Sequence, residues 1–479
     1  MSDHVKLSRR QFLRGAGLGS SALLIAACSQ PAPAPAPAAK VEPTKAPAAP
    51  APTQAPAATK APEPTKAPAV VASPAPKAAV TLELWCDIWG GVDMWKPIFA
   101  EAKEKLNITV NLTPSPFSDL ETKFFTAFAG GTAPDLTQGH PMFVPTYAVR
   151  KAIIDLTPYI EKENYNLKRF FPASLATLAY MGRQYGLPGQ YVANIIYYNK
   201  KLFKDAGLTE PYDLWKQNKW TIETFVDQCN KIAKGEGATQ IYACSEPPKT
   251  IRIQVSHLNM FGGAFYSPDL KKCIGNTPEA LQGWDVIADH VRKKWSPATA
   301  GRDQNYQVVM PPLFNGNRLA MYYNHRGFLT SIDKAIDCGM VPNPQGPKGF
   351  SARGIGQGFI ICSKTKFPDA CWEWMKWQAV RAYEVGIEFG ATQPMYDGDF
   401  ESERWKKALL PWEKNDVYAY AAQYARPDAL APGFNEQDAI TQAAYDEIAL
   451  GKKSAKEAMD PAVAKVQQSM DDYYKKYGG

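Results

Sequence analysis

Several short segments bring together the residue types that hold a polyol. Trp89 stands before Gly90-Gly91, within the stretch Asp87–Asp93. An aromatic ring there offers a flat apolar face to the C–H groups of a sugar ring, while neighbouring amides and carboxylates take its hydroxyls. Gln138 and His140, in Gln138-Gly-His-Pro-Met-Phe143, carry hydrogen-bonding groups suited to the same task. Similar mixtures recur around Tyr191 and Asn194, Phe265 and Tyr266, Asn324 and Arg326, Gln357, and Phe434 and Asn435. Glycines at Gly262-Gly263 allow close backbone approach. Arg326 presents a fixed fork of donors, fit for a uronate, a phosphate or a densely hydroxylated sugar, or for a salt bridge within the protein. Trp85 lies on a strand, where a core role is expected.

The chemistry that would mark a hydrolase is largely missing. There is no G-x-S-x-G elbow and no H-E-x-x-H metal helix, and only five histidines occur in the chain. Counting acids does not exclude a carboxylate pair, so a secreted polysaccharide hydrolase stays as an alternative. A non-enzymatic binder without cofactor or metal is the expectation. Tyr197-Tyr198 and Tyr322-Tyr323 suggest iron capture, but adjacent strand residues face opposite ways, so neither pair is a natural chelate. Besides Cys28 there are Cys86, Cys229, Cys244, Cys273, Cys338, Cys362 and Cys371. No CxxC pair occurs, the odd number leaves a free thiol, and one disulfide such as Cys229–Cys244 is compatible with the sequence.

These loops need strands and helices behind them. Val80 to Trp85 alternates polar and apolar residues as a strand does. Helical spacing follows from Trp95 to Leu106, then a second strand from Ile108 to Leu112, the start of a βαβ unit and an α/β domain. The sequence predicts a helix from Phe117 to Ala129, stopped by Gly130-Gly131, and a strand opening at Pro134-Asp135-Leu136. Helical patterns dominate 160–235 and 277–294, and return at Phe367–Glu388 and Asn435–Lys476. In open α/β sheets ligands sit beyond the carboxyl ends of strands, which is why the segments above are the candidates.

The N-terminal part is an address. Ser8-Arg9-Arg10-Gln11-Phe12-Leu13 matches a twin-arginine export signal. The apolar stretch after it is too short for a permanent span and ends in Leu24-Ile25-Ala26-Ala27-Cys28, which resembles a lipobox. Cys28 is then the lipidated residue, residues 1–27 the signal peptide, and the membrane a partner through the anchor. Residues 28–78 are mostly Pro and Ala, with near-repeats such as Pro43-Thr-Lys-Ala-Pro47. This composition reads as an extended, disordered tether. Of the net charge of +7, nine Lys/Arg against three acids in residues 1–78 supply +6. The folded part is close to neutral, and nothing in it asks for nucleic acid.

Several phrases line up in order with one family. They are Phe128-Ala-Gly-Gly-Thr-Ala-Pro-Asp135, Asp155-Leu-Thr-Pro-Tyr-Ile160, Tyr185-Gly-Leu-Pro188, Tyr197-Tyr-Asn-Lys200, Phe314-Asn-Gly-Asn-Arg-Leu-Ala-Met321 and Gly451-Lys-Lys-Ser-Ala-Lys-Glu-Ala458. The series resembles the family 1 extracellular solute-binding proteins, the maltose-binding type. The resemblance implies an α/β, two-lobed periplasmic-binding-protein fold (type II), with a ligand cleft between lobes joined by hinge crossovers. Lobe 1 would take 79–191 and 350–388, and lobe 2 would take 192–349 and 389–479. Tyr191 to Asn199 resembles the first crossover. The function implied is a monomeric, lipid-anchored binder at the outer face of the cytoplasmic membrane, delivering a sugar or oligosaccharide to ABC permease subunits. Another polar solute (a phosphoester, uronate, polyamine or iron) is the alternative. Maltodextrin binders carry charged groups where this chain has Trp89, Met142-Phe143 and Val192, and a Trp where it has Arg326-Gly327-Phe328, which puts maltose specificity in doubt.

Overall fold

The computed structural model describes residues 78–87, 91–298, 303–396 and 398–478. The export signal, Cys28, the Pro/Ala-rich stretch and Trp89 lie outside these residues.

The chain opens with β1 (Val80–Cys86), α1 (Val92–Leu106) and β2 (Ile108–Pro114), the expected βαβ unit. Alternation decides β1: Leu82, Leu84 and Cys86 point inward while Thr81 and Glu83 face solvent. Next come α2 (Leu120–Gly130), β3 (Leu136–Gly139), α3 (Val144–Val149), α4 (Thr157–Glu163) and α5 (Pro172–Ala176). Helix α2 begins later than its pattern predicts, because Phe117 leaves the helix and sets its ring against His140 and Phe143. It stops as expected at Gly131, whose φ of 72° suits glycine. A hairpin of β4 (Ala179–Tyr180) and β5 (Arg183–Gln184) leads into β6 (Gly186–Ala193) and β7 (Ile195–Asn199), so the region 160–235 holds more strand than its helical pattern suggests.

Helices α6 (Lys200–Asp205), α7 (Pro211–Lys216) and α8 (Ile222–Ile232) precede β8 (Tyr242–Cys244), α9 (Ile251–Met260), α10 (Pro278–Arg292) and α11 (Asp303–Asn315). Then follow β9 (Leu319–Asn324), β10 (Cys338–Val341), β11 (Ala352–Ile361), α12 (Pro368–Glu388), α13 (Glu403–Ala408), α14 (Asn415–Tyr424) and β12 (Ala425–Pro427). The chain closes with α15 (Phe434–Ala449) and α16 (Ala455–Tyr477), the latter started by a Ser454–Glu457 capping box. No helix among the described residues is long and apolar enough to cross a membrane.

Two larger sheets result. The first has the order β12-β11-β3-β1-β2, with β6 also paired to β11. The second runs β10-β7-β9-β8. Between β6 in one sheet and β7 in the other stands the single residue Asn194. The chain returns between β10 and β11, and passes a third time after β12.

The stretch around Gln357, a candidate ligand segment, lies within strand β11. Its glycines serve packing. A Cβ on Gly358 would meet the Leu187 carbonyl oxygen at 2.0 Å, and one on Gly356 the Ser174 oxygen at 2.2 Å. The two adjacent tyrosines of β7 face opposite ways: Tyr197 bonds Tyr418 and Tyr198 bonds Glu210. Helix α13 packs on α12, while α14 touches β6, β11 and β7. The segment 403–424 therefore leans on elements of both sheets.

Candidate functional site

The carboxyl ends of β1, β3 and β9 and the three passages between sheets set the geometry. At the end of β3, the Gln138 side chain accepts a hydrogen bond from the Asp87 backbone at 3.1 Å. Next to it His140 is buried, with Phe117 edge-on to its ring and its Nδ1 accepting from the Met142 N–H at 3.2 Å. From the second sheet, β9 delivers Tyr323, Asn324 and His325. Asn324 donates to the Tyr322 hydroxyl at 2.7 Å and accepts from the His325 N–H.

Arg353, on the returning strand, lies among these groups. Its guanidinium grips Asp428 with both Nε and Nη2, the closest contact being 2.6 Å, and both side chains are buried. Burial lowers the pKa of His140 and His325, and the charges of Arg353 and Arg252 lower them further; His325 falls to about 3. Both imidazoles are therefore neutral at pH 7, each with one donor and one acceptor nitrogen. The Tyr323 hydroxyl is pushed up to about 12, mainly by burial.

Uncharged polar atoms line these elements. Gln138 Nε2, Asn194 Oδ1, Gln254 Nε2, Asn343 Oδ1 and Ser351 Oγ are buried and have no hydrogen-bond partner within the described protein. Gln138 ends β3, which pairs with β11, and Gln254 sits on α9, which packs against β11. Asn194, Asn343 and Ser351 lie in the passages themselves. Leaving one such group buried and unmatched costs about 1–3 kcal/mol, so each of them marks a place suited to a polar visitor.

The remaining expected residues fall elsewhere. Tyr191 is buried, stacked on Phe171, with its hydroxyl donating to the Ala422 carbonyl. Phe265, Tyr266 and Phe434 belong to the core that α9, α10, α15 and α16 enclose. Tyr266 donates to Gln437 at 2.6 Å, and Gly263 is required because a Cβ would strike the Ala280 backbone nitrogen at 2.5 Å. Arg326 takes the alternative open to it from sequence. It pairs with buried Glu413 at 3.1 Å, donates to the carbonyls of Thr392 and Ala408, and lies over Trp405. Gln357, half-buried, sits opposite Gln190 in the ladder. Asn435 is exposed and donates to Glu121 at 3.0 Å.

The sequence reading passed over Gln254, Asn343, Ser351, Arg353 and Asp428. Arg353 lies four residues before Gln357, in the same stretch. Asp428 has no local signal, since its value depends on a partner 75 positions away.

Contacts also join the outer faces. Gly433 N–H donates to the Thr146 hydroxyl at 3.0 Å, Tyr180 donates to Tyr474 at 3.5 Å, and Arg150 lies over the Tyr477 ring. A cavity of about 840 Å³ lies apart from all these residues, by edge strand β10, lined by Tyr198, Met340 and Trp412 among others. None of the passage residues lines it.

The bacterial extracellular solute-binding protein family model matches residues 91–385. A binding protein of Brucella abortus (strain 2308) is 30% identical over 390 residues, covering 77% of this chain and 89% of its own. Among solved structures, the ABC substrate-binding protein from Listeria monocytogenes in complex with cycloalternan superposes with a TM-score of 0.71 at 18% identity, covering 82% of this chain and all (100%) of its own. A solute-binding protein from Thermotoga lettingae bound with alpha-D-tagatose gives 0.67 at 21%, covering 81% and 99%. The maltose/maltodextrin-binding domain from Bdellovibrio bacteriovorus bound to maltotriose gives 0.66 at 17%, covering 82% and 100%. The chain belongs to the family 1 bacterial extracellular solute-binding proteins and has their two-lobed α/β fold.

Proposed function

We propose that this chain captures a sugar or short oligosaccharide between its lobes, outside the cytoplasm, and presents it to an ABC permease. One observation carries the reading: the buried, uncharged donors and acceptors left unmatched at the end of β3, on α9 and in the passages, namely Gln138, Asn194, Gln254, Asn343 and Ser351. Hydroxyl groups match such a set, because each both donates and accepts. A charged solute would ask for a buried counter-charge, whereas Arg353 is already neutralised by Asp428 and Arg326 by Glu413. Neutral His140 and His325 add two more polyol partners, and Trp89 supplies the stacking face. The bound sugars of the structural neighbours agree with this ligand class.

Capture works by closure. Only a closed form lets one ligand touch Gln138 on one lobe and Gln254 on the other, so binding shifts the population toward closure. The Thr146–Gly433 and Glu121–Asn435 contacts, which join the two outer faces, belong to that form. We read 79–191 and 350–388 as one lobe and 192–349 with 428–479 as the other, the segment 389–427 bridging them. The chain acts as a monomer, lipidated at Cys28 and held on a Pro/Ala tether, and turns over no glycoside. Small-angle scattering of the Cys28→Ser chain tests closure. A ligand found by melting-point screening should reduce the radius of gyration, and an unchanged radius at saturation would remove the closure mechanism.

A further inference from the structure

Away from the passages, the second lobe buries two thiols and an imidazole together. Cys229 comes from α8, Cys244 ends β8, and His290 lies on α10. All three are nearly inaccessible, at 0%, 2% and 3% exposure. Both sulfurs are thiols here and belong to one hydrophobic cluster. Helix α8 packs against β8, and the His290 ring lies 5.6 Å from that of Phe225, one turn before Cys229 on α8. The other face of this imidazole is idle: its Nδ1 has no partner within the described protein. A cavity of about 20 Å³, room for one water, touches Cys244 and His290.

We propose that Cys229 and Cys244 form a disulfide once the chain is outside the cytoplasm, with His290 as the base that takes the first proton. The setting is oxidising, where such bonds persist. Electrostatics favours Cys244 as the attacking sulfur. Burial raises its pKa, but the hydrogen bond from Cys229 and the nearby His290 outweigh this and hold the thiol below its usual range. Cys229 stays well above it, first through burial.

The oxidant is a disulfide, small or borne by an exchange protein. His290 takes the Cys244 proton, and the thiolate attacks one oxidant sulfur, expelling the other as a thiolate. The Cys229 sulfur then displaces the second oxidant sulfur from the mixed disulfide. One S–S bond forms in the protein, the oxidant's S–S bond is lost, and both protons end on the two released thiols. Access comes by local opening of the connection 233–241, most of it exposed, with Gly235 and Gly237 at positive φ. The bond would tie α8 to β8, a short closed loop within the second lobe.

The test uses the Cys28→Ser chain, which carries seven cysteines. It is incubated with oxidised glutathione, denatured without reductant and alkylated with N-ethylmaleimide. Five of its seven thiols should react, with one peptide pair linking Cys229 to Cys244. The oxidised chain should melt roughly 5 °C above the reduced one. His290→Gln should slow closure about tenfold near pH 7 yet reach the same end point, whereas an unchanged rate would remove the base. Cys229→Ala and Cys244→Ala, each small enough for the apolar cluster, should leave all six other thiols reactive. Seven alkylated thiols after oxidant, or a linkage between other cysteines, would overturn the proposal.

Discussion

Asn194 donates its backbone N–H to the carbonyl of Arg353 at 2.9 Å, and so bonds the outgoing passage between the lobes to the returning one. The register on either side fixes the place. Ala193 sits opposite Gly354 in the first sheet, and Ile195 opposite Asn324 in the second. Arg353 then holds Asp428 on the third passage. One buried arginine ties all three.

Breaking that tie should be costly. Asp428→Asn leaves the Arg353 guanidinium buried without its counter-charge, a loss of about 3–5 kcal/mol. Arg353→Lys keeps the charge but loses the fork and should also destabilise. Denaturant titration checks both. Midpoints equal to the parent's would mean that the passages are held by other contacts.

Ligand contacts should separate from stability. Trp89→Ala should weaken sugar binding by about 1–3 kcal/mol if the ring is a central anchor. Gln138→Ala should also weaken it, beyond a stability cost of about 1 kcal/mol from the acceptor lost to the Asp87 N–H. Calorimetry on each variant checks this. Parental affinity in Trp89→Ala would remove that residue from the site.

How much of this was legible in the sequence follows from the range of each force. Alternation in β1 and spacing in α1 and α12 are local, and the sequence reading places those elements within a few residues. The glycines of β11 were visible but ambiguous. Glycine admits both a ligand and a neighbouring strand, and only Leu187 and Ser174 decide for the strand. Phe265 and Tyr266 look like stacking rings in a Gly-rich turn, until α10 and α15 cover them. Arg326 and Glu413 are 87 positions apart, as Arg353 and Asp428 are 75 apart, and no local pattern links such partners.

A half-buried carboxyl near the outer contacts gives a pH signature. Burial pushes Glu121 up to about 7 from its ordinary 4.5, against the lowering charge of Arg150. The folded state therefore binds this proton more tightly than the unfolded chain. Its stabilising effect is complete below about pH 4.5 and is lost as pH rises through about 7. Glu121→Gln keeps an acceptor for Asn435 without the charge. Its melting point relative to the parent should rise between pH 5 and pH 8; a gap that stays constant would contradict the assignment.

The anchor is tested by one atom. Cys28→Ser removes the sulfur that would accept the lipid, so the protein should leave the membrane fraction on cell breakage. A Ser variant that stays bound and still carries lipid would refute the lipobox reading.

The central claim is that an uncharged sugar fills the passage site. Its most direct test is a melting-point screen of the Cys28→Ser chain against monosaccharides, oligosaccharides, uronates, phosphoesters, polyamines and ferric ion. A ligand bound only by the folded state raises the melting point in step with its concentration. The account predicts such a rise with at least one neutral sugar. A rise with only a charged solute, and with no neutral sugar, would contradict it.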